Sequence, residues 1–259
     1  MPYFTTDDGV RIHYRVAGTG SPTLLFVHGW CSNLRHWDLQ ARYFSRRYRV
    51  VRVDRRGHGR SSVPEDGYNW PRHAEDIAGV ARSLGVRDAI VIGHAGGVGT
   101  VLQLAHGHPW LVRALVLDDA APSPMPGIPR AERSPLIDAL SGPDYVEQFK
   151  ANYRRYFSDA TDPRLVEQCV NEAARTPQKV AVAELRSIFS TNTAEYASQL
   201  TMPVLYIGAG HARVQVTAPL LRQVIPHAQF AQVVDSEHFV HVDVPDQFNA
   251  MLKRFIERL

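Results

Sequence analysis

Cysteine is almost absent from this chain of 259 residues: Cys31 and Cys169 are the only two, and they stand far apart. That excludes a disulfide framework and gives no thiolate pattern for zinc, so each is expected as a lone buried thiol. An excess of one charge is missing as well. The formal net charge is only +3 and the arginines are scattered, which argues against nucleic acid or an anionic membrane as partner. No apolar run approaches the ~18 residues of a spanning helix. The opening Met1-Pro2-Tyr3-Phe4-Thr5 has neither a basic nor an apolar leader region. A soluble, cytoplasmic protein is therefore expected. One further absence is local. The loop after the apolar run Val204–Ile207 reads Gly208-Ala209-Gly210-His211-Ala212-Arg213 and contains no acid.

What is present is an ordinary globular composition, 44% hydrophobic and 21% charged, in a length that suits one α/β domain with a modest insertion. Val10 to Val16 alternates apolar and polar residues after Asp7-Asp8-Gly9, which predicts an opening antiparallel hairpin. Thr23–Val27, Tyr48–Val53, Ala89–Ile92, Ala114–Leu117, Pro203–Ile207 and Phe230–Val234 are short, nearly continuous apolar runs, the pattern of strands buried on both faces. A helix is predicted from Trp70-Pro71 to Gly85 with Ile77, Val80, Ala81 and Leu84 as its apolar stripe. Another runs from Pro245 to Leu259 on Phe248, Met251, Leu252, Phe255, Ile256 and Leu259. Between Pro122 and about Ser198 the strand signals vanish. Helix-like segments take over there: Leu136–Leu140, Tyr145–Phe157, Arg164–Ala174 and Lys179–Phe189. The reading is an α/β core of residues 1–121 and 199–259, a mainly parallel, doubly wound sheet, with a helical lid inserted at 122–198.

Chemistry concentrates in four loops. The run Ala89-Ile90-Val91-Ile92 ends in the corner Gly93-His94-Ala95-Gly96-Gly97, and a helix-compatible stretch, Val98 to His106, leaves it. Strand, sharp turn and helix are the setting of the G-x-S-x-G nucleophile elbow. Here the central position holds Ala95, and a methyl group cannot attack a carbonyl. By itself G-x-A-x-G reads first as a structural glycine turn; the rest of the chain reverses that reading. The other loops are His28-Gly29-Trp30-Cys31, Asp54-Arg55-Arg56-Gly57-His58-Gly59-Arg60-Ser61 and Ser236-Glu237-His238-Phe239, each following a predicted strand.

With these four loops in this order, the chain resembles the α/β-hydrolase superfamily over nearly its whole length. The resemblance implies a nucleophile at the position of Ala95, a histidine base at His238, a carboxylate, and an oxyanion hole made by the backbone N–H groups of Trp30 and Gly96. Many relatives carry the carboxylate after the strand matching Val204–Ile207, where this sequence has none. Others carry it after the strand that follows the elbow, where Asp118 and Asp119 stand. Adjacent strand residues point opposite ways, so only one is expected to face His238. Counting from the elbow favours Asp119; alignment of strand ends with another branch allows Asp118, and either could be a turn aspartate. Trp30, His94 and Trp37, with Tyr153, Tyr156 and Phe157 of the lid, are candidate substrate contacts, packing being the competing role of each. No cofactor or metal is implied, and the expected partner is a small-molecule substrate.

Three explanations of Ala95 stand side by side. One is a serine hydrolase of esters or lactones, or of a carbon–carbon bond, that has lost its nucleophile by natural or deliberate change and holds its substrate uncleaved. Another is the branch of cofactor-free dioxygenases that open 3-hydroxy-4-oxoquinolines with a His/Asp pair. That branch shares the His-Gly-Trp-Cys opening, a histidine before the nucleophile and an acid after the next strand, but it carries the serine, and more histidine where Ser32 and Asn33 stand here. The last is a non-catalytic ligand-binding receptor on the same fold. The hydrolase is the expectation carried forward.

Overall fold

The central strand Thr23–Val27 (β3) shows how this sequence builds two cores at once. Its residues alternate across the sheet: Leu24 and Phe26 enter one apolar cluster with Trp37, Phe44 and Phe248, while Leu25 and Val27 enter another with Ile77, Val101 and Leu104. A continuous apolar run is thus required because both faces are covered. The protein, seen in a computed structural model, is described here for residues 2–122, 134–210 and 213–259.

The other strands are β1 (Tyr3–Thr5), β2 (Arg11–Ala17), β4 (Arg49–Val53), β5 (Ala89–His94), β6 (Val112–Asp118), β7 (Val204–Gly208) and β8 (Gln229–Gln232). They form one sheet in the order β1-β2-β4-β3-β5-β6-β7-β8. The opening hairpin is antiparallel, as its alternation predicts, and β2 pairs antiparallel with β4. From β4 onward every pairing is parallel. Helices α1 (Asp38–Phe44), α2 (Trp70–Ser83), α3 (Gly96–Gly107), α9 (Arg213–Val224), α10 (Val240–Asp243) and α11 (Pro245–Ile256) flank the sheet in sequence. Asn69 caps α2 by accepting from the Arg72 N–H, and proline fills its first turn. The short α1 and α10, and α9 with Pro219 inside it, carry no separate sequence signal. Among the described residues no helix is long and apolar enough to cross a membrane.

Between β6 and β7 lie α4 (Ser134–Leu140), α5 (Tyr145–Arg154), α6 (Pro163–Ala173), α7 (Gln178–Ser190) and α8 (Ala194–Ala197), with no strand among the described residues of the segment. Phe149, Tyr153, Phe157 and Leu185 of this segment share a third apolar cluster with Trp30 and Phe239, residues of the loops after β3 and β8. Hydrogen bonds pin the contact: Trp30 Nε1 donates to Ala181 O at 2.9 Å, and Ser32 and Tyr153 pair through their hydroxyls at 2.7 Å. The helical segment therefore sits on the carboxyl ends of the strands, where ligands of open α/β sheets bind. Residues 123–133 at its start, and His211 and Ala212 in the acid-free loop, lie outside the described residues.

Candidate active site

Ala95 occupies the corner between β5 and α3 with φ 49° and ψ −120°. A residue bearing a Cβ pays steric strain there, on the order of 1–3 kcal/mol, and such strain gathers at functional sites. The corner is held by the Ala95 N–H, which donates to Asp118 O at 3.1 Å across the β5–β6 pairing. Gly97 lets the helix press onto the neighbouring strand. A Cβ added there would lie 2.5 Å from His28 O and 2.8 Å from Val27 O.

Strand β6 ends at Asp118, and Asp119 follows it; the two aspartates part company. Asp119 Oδ2 accepts from His238 Nδ1 at 2.8 Å, and Asp119 Oδ1 accepts from the Ala209 N–H at 3.0 Å. The carboxylate is therefore held from two sides, its side chain 4% exposed, while the His238 side chain is 23% exposed. With Nδ1 donating, the other nitrogen of His238 is the one free to take a proton. Asp118 points into the core instead and pairs with His241 Nδ1 at 2.6 Å. Burial first, then the charges of Asp119 and Asp243, push the Asp118 carboxyl well above the usual carboxylate range. Burial likewise holds His241 well below the usual imidazole range. Burial thus acts on both members of this inner pair toward their neutral forms. The chain leaves the strand at Asp119, whose backbone turns to φ 45°, so the two aspartates take different directions and Asp119 is the one that meets His238.

Opposite this pair stand two backbone donors. Among the described residues neither the Trp30 nor the Gly96 N–H donates to another protein group. They are close together: a Cβ on Gly96 would lie 3.3 Å from Trp30 N and 3.1 Å from Ile188 Cδ1. Such a pair of unpaired amides is what a developing oxyanion requires. Ile188, on α7, is a neighbour of this site that nothing in the sequence marks, because an isoleucine in an amphipathic helix carries no chemical signature.

Several residues expected at the substrate are placed elsewhere. Trp37 is fully buried in the core and stacks on His241 with ring centroids 3.9 Å apart, so it cannot touch a ligand. His94 is buried too; its Nε2–H donates to His238 O at 2.9 Å and its ring lies 4.9 Å from that of His238. It props the histidine loop rather than lining a pocket. Tyr153 and Phe157 are consumed in the contact between helices and core, Tyr153 through Ser32 and Phe157 stacked on Phe239 at 4.3 Å. The large aromatic that remains half-exposed near His238 is Tyr156, ring to ring at 5.4 Å. Trp30 contributes its backbone, its indole being committed to Ala181. Cys31 and Cys169 are free and buried.

His94, Asp118 and His241 each place a ligand-type atom within 4.8 Å of the others. Two of these contacts are already spent, Asp118 on His241 and His94 on the His238 carbonyl, and an ion would have to displace them. The three work as a buried brace under the His238 loop.

The strand order, the strained elbow and the histidine–aspartate pair together define an α/β hydrolase. The family described as "alpha/beta hydrolase fold" matches residues 22–245, and the chain belongs to it. It is 38% identical over 125 residues to a non-heme haloperoxidase of Rhodococcus erythropolis, covering 47% of this chain and 45% of that protein. To a bifunctional esterase/perhydrolase of Acinetobacter calcoaceticus it is 41% identical over 111 residues, 42% of this chain and 40% of the relative. The match spans less than half the length of these relatives. Among solved structures, Est816, described as an N-acyl homoserine lactone degrading enzyme, is 26% identical, with a TM-score of 0.85 over 98% of this chain and 100% of that one. Esterase, lactone-degrading and haloperoxidase relatives thus surround the chain.

Proposed function

We propose that this protein has the machinery of a hydrolase of small-molecule esters or lactones, with position 95 as the nucleophile site, His238 as base, Asp119 as its orienting acid, and Trp30 and Gly96 as oxyanion donors. The segment 122–198 acts as the lid that shapes the substrate pocket. The observation that carries this reading is the strained backbone of Ala95 beside a complete His238–Asp119 pair. In a serine enzyme of this geometry, His238 would take the hydroxyl proton, the alkoxide would attack the substrate carbonyl, and the two amides would receive the negative oxygen. Ala95 has no proton to give and no oxygen to attack with. The chain as it stands therefore binds its substrate without forming an acyl-enzyme. The esterase and lactone-degrading relatives support the substrate class.

A serine at position 95 is the direct test. Loss of such a nucleophile costs on the order of a millionfold in kcat, so Ala95→Ser should raise hydrolysis of short p-nitrophenyl esters or of a lactone panel by a comparable factor. Equal rates for the two proteins across that panel would count against the reading. One observation favours a second reading: the His238–Asp119 base is complete without a serine, as deprotonation of an acidic ring substrate before reaction with dioxygen would need. His238-dependent oxygen uptake by the Ala95 protein, with release of carbon monoxide from a 3-hydroxy-4-oxoquinoline, would establish that chemistry in place of the first.

A further inference from the structure

The buried charge nearest the oxyanion loop lies outside the triad positions. Arg55, in the loop after β4, is completely buried, and its guanidinium serves two masters in different elements. Nη1 pairs with Glu184 of α7, itself buried, and Nη2 donates to Gly29 O at 2.7 Å. Gly29 O belongs to the peptide whose N–H is that of Trp30. The same carbonyl accepts from His28 Nδ1 at 2.9 Å and from the Ser32 N–H at 3.2 Å. The tautomer of His28 follows from its other side: Nε2 accepts from the Arg55 N–H at 3.0 Å, so the ring proton sits on Nδ1 and is donated to Gly29. Three donors thus fix one carbonyl. Because a peptide plane is rigid and trans, holding the C=O also aims the N–H on its far side.

Glu184 is the element that lets Arg55 be there. It also lies within 3.2 Å of His58 Nε2 and 3.3 Å of His73 Nε2, all three side chains being sealed from solvent. Burial works to raise the Glu184 carboxyl, but Arg55 and then His58 outweigh it and hold it well below the usual carboxylate range. An ionised Glu184 anchors one arm of the guanidinium and leaves the other at the carbonyl. A fork with two donors is needed for this, which a lysine ammonium does not supply in the same geometry.

We propose that Arg55 and Glu184 are positioning residues for the oxyanion donor: Glu184, carried on a helix of the segment between β6 and β7, holds Arg55, and Arg55 holds the Gly29–Trp30 peptide so that the Trp30 N–H faces the reacting oxygen. The proposal rests on the hydrolase reading for its catalytic consequence, though not for its geometry. It wires the helical segment to the transition-state donor, so a displacement of α7 is felt at the oxyanion hole without any contact to substrate.

The test uses two variants and two readouts. Arg55→Lys keeps a positive charge beside Glu184 and so preserves the fold, but one ammonium cannot also keep the Gly29 contact; Glu184→Gln frees the guanidinium instead. In the protein with Ala95, both variants should shift the Trp30 backbone amide resonance, with the Val91 amide of the central sheet unchanged. In the Ala95→Ser background, both should lower kcat by about 10- to 100-fold, short of the roughly 10²–10³ lost when an oxyanion donor is removed outright, with KM within about twofold. An unmoved Trp30 amide, or an unchanged kcat in an active Ala95→Ser protein, would overturn the proposal. Should Ala95→Ser hydrolyse nothing, the hydrolase reading falls and the Trp30 amide still decides the wiring.

Discussion

Asp118 and Asp119 are chemically identical and adjacent, yet their surroundings give them different burial and different partners. Asp119 is held by His238 Nδ1 and the Ala209 N–H. Asp118 is buried against His241, and burial pushes its carboxyl well above the usual carboxylate range, toward the protonated form. An amide imitates a protonated carboxyl far better than it imitates a carboxylate. In the Ala95→Ser background, Asp119→Asn should therefore lower kcat by roughly 10⁴, the scale for neutralising a triad acid, whereas Asp118→Asn should change it only a few-fold. Steady-state kinetics on a p-nitrophenyl ester would check this, and the opposite ranking would move the acid to Asp118.

The elbow depends on how closely α3 meets β3. At Gly97 the room is set by two backbone carbonyls, those of Val27 and His28, and backbone cannot turn aside as a flexible side chain can. Gly97→Ala should destabilise the fold by about 1–3 kcal/mol, the range for overpacking a dense interior. For a chain of this size that is a fall of about 2–4 °C in Tm per kcal/mol, read by a thermal scan. A loss under about 1 °C would mean that the helix can slide outward. Elements with a plain periodic signal, such as β3, β5 and α11, follow the sequence reading closely; α1, α9 and α10 do not announce themselves. Short helices at the ends of connecting loops owe their formation to tertiary contacts, as with α1, whose Phe44 and Ala41 are buried in the core beside α11.

At the scale of the whole molecule, five described histidines, His28, His36, His73, His94 and His241, are buried and held below the usual imidazole range. Burial lowers His36 and His73 to about 4, and it holds His28 and His94 well below their usual range. A histidine depressed in the folded state contributes stability that is complete above its unfolded value near 6.5 and is lost as pH falls toward the folded value, because the unfolded chain takes up the proton first. His36 and His73 should each cost the fold about 2 kcal/mol by pH 5, from 1.36 kcal/mol per pKa unit. Asp118 and Asp243, raised mainly by burial, act in the opposite sense. The histidines outnumber them in this window, so the urea midpoint should drop between pH 7.5 and pH 5. A flat or rising midpoint would show that these rings are hydrated or charged in the folded protein.

Apolar runs and glycine corners were enough to determine the sheet, its parallel sense and the corner at Ala95, because those features follow from local periodicity and from positions where a Cβ does not fit; attention to His238 and to the Trp30 and Gly96 amides came from the resemblance of the four loops to the family. Which of two neighbouring aspartates meets His238 was left open by the chain and was decided by the backbone turn at Asp119, just past the end of β6, once the loop after β8 had folded back over it. The aromatic residues show the same division. Trp37, Tyr153 and Phe157 look like pocket walls in sequence, but an aromatic ring in a helix or loop reads the same whether it faces a ligand or the interior. Only the packing of the helical segment on Trp30 and Phe239 assigned them to the interior and left Tyr156 beside the site. Arg55 and Glu184 stand 129 positions apart, and nothing local links them. Their pairing, and through it the hold on the Gly29 carbonyl, exists only because a long-range fold removes both charges from water and leaves each the other as its partner.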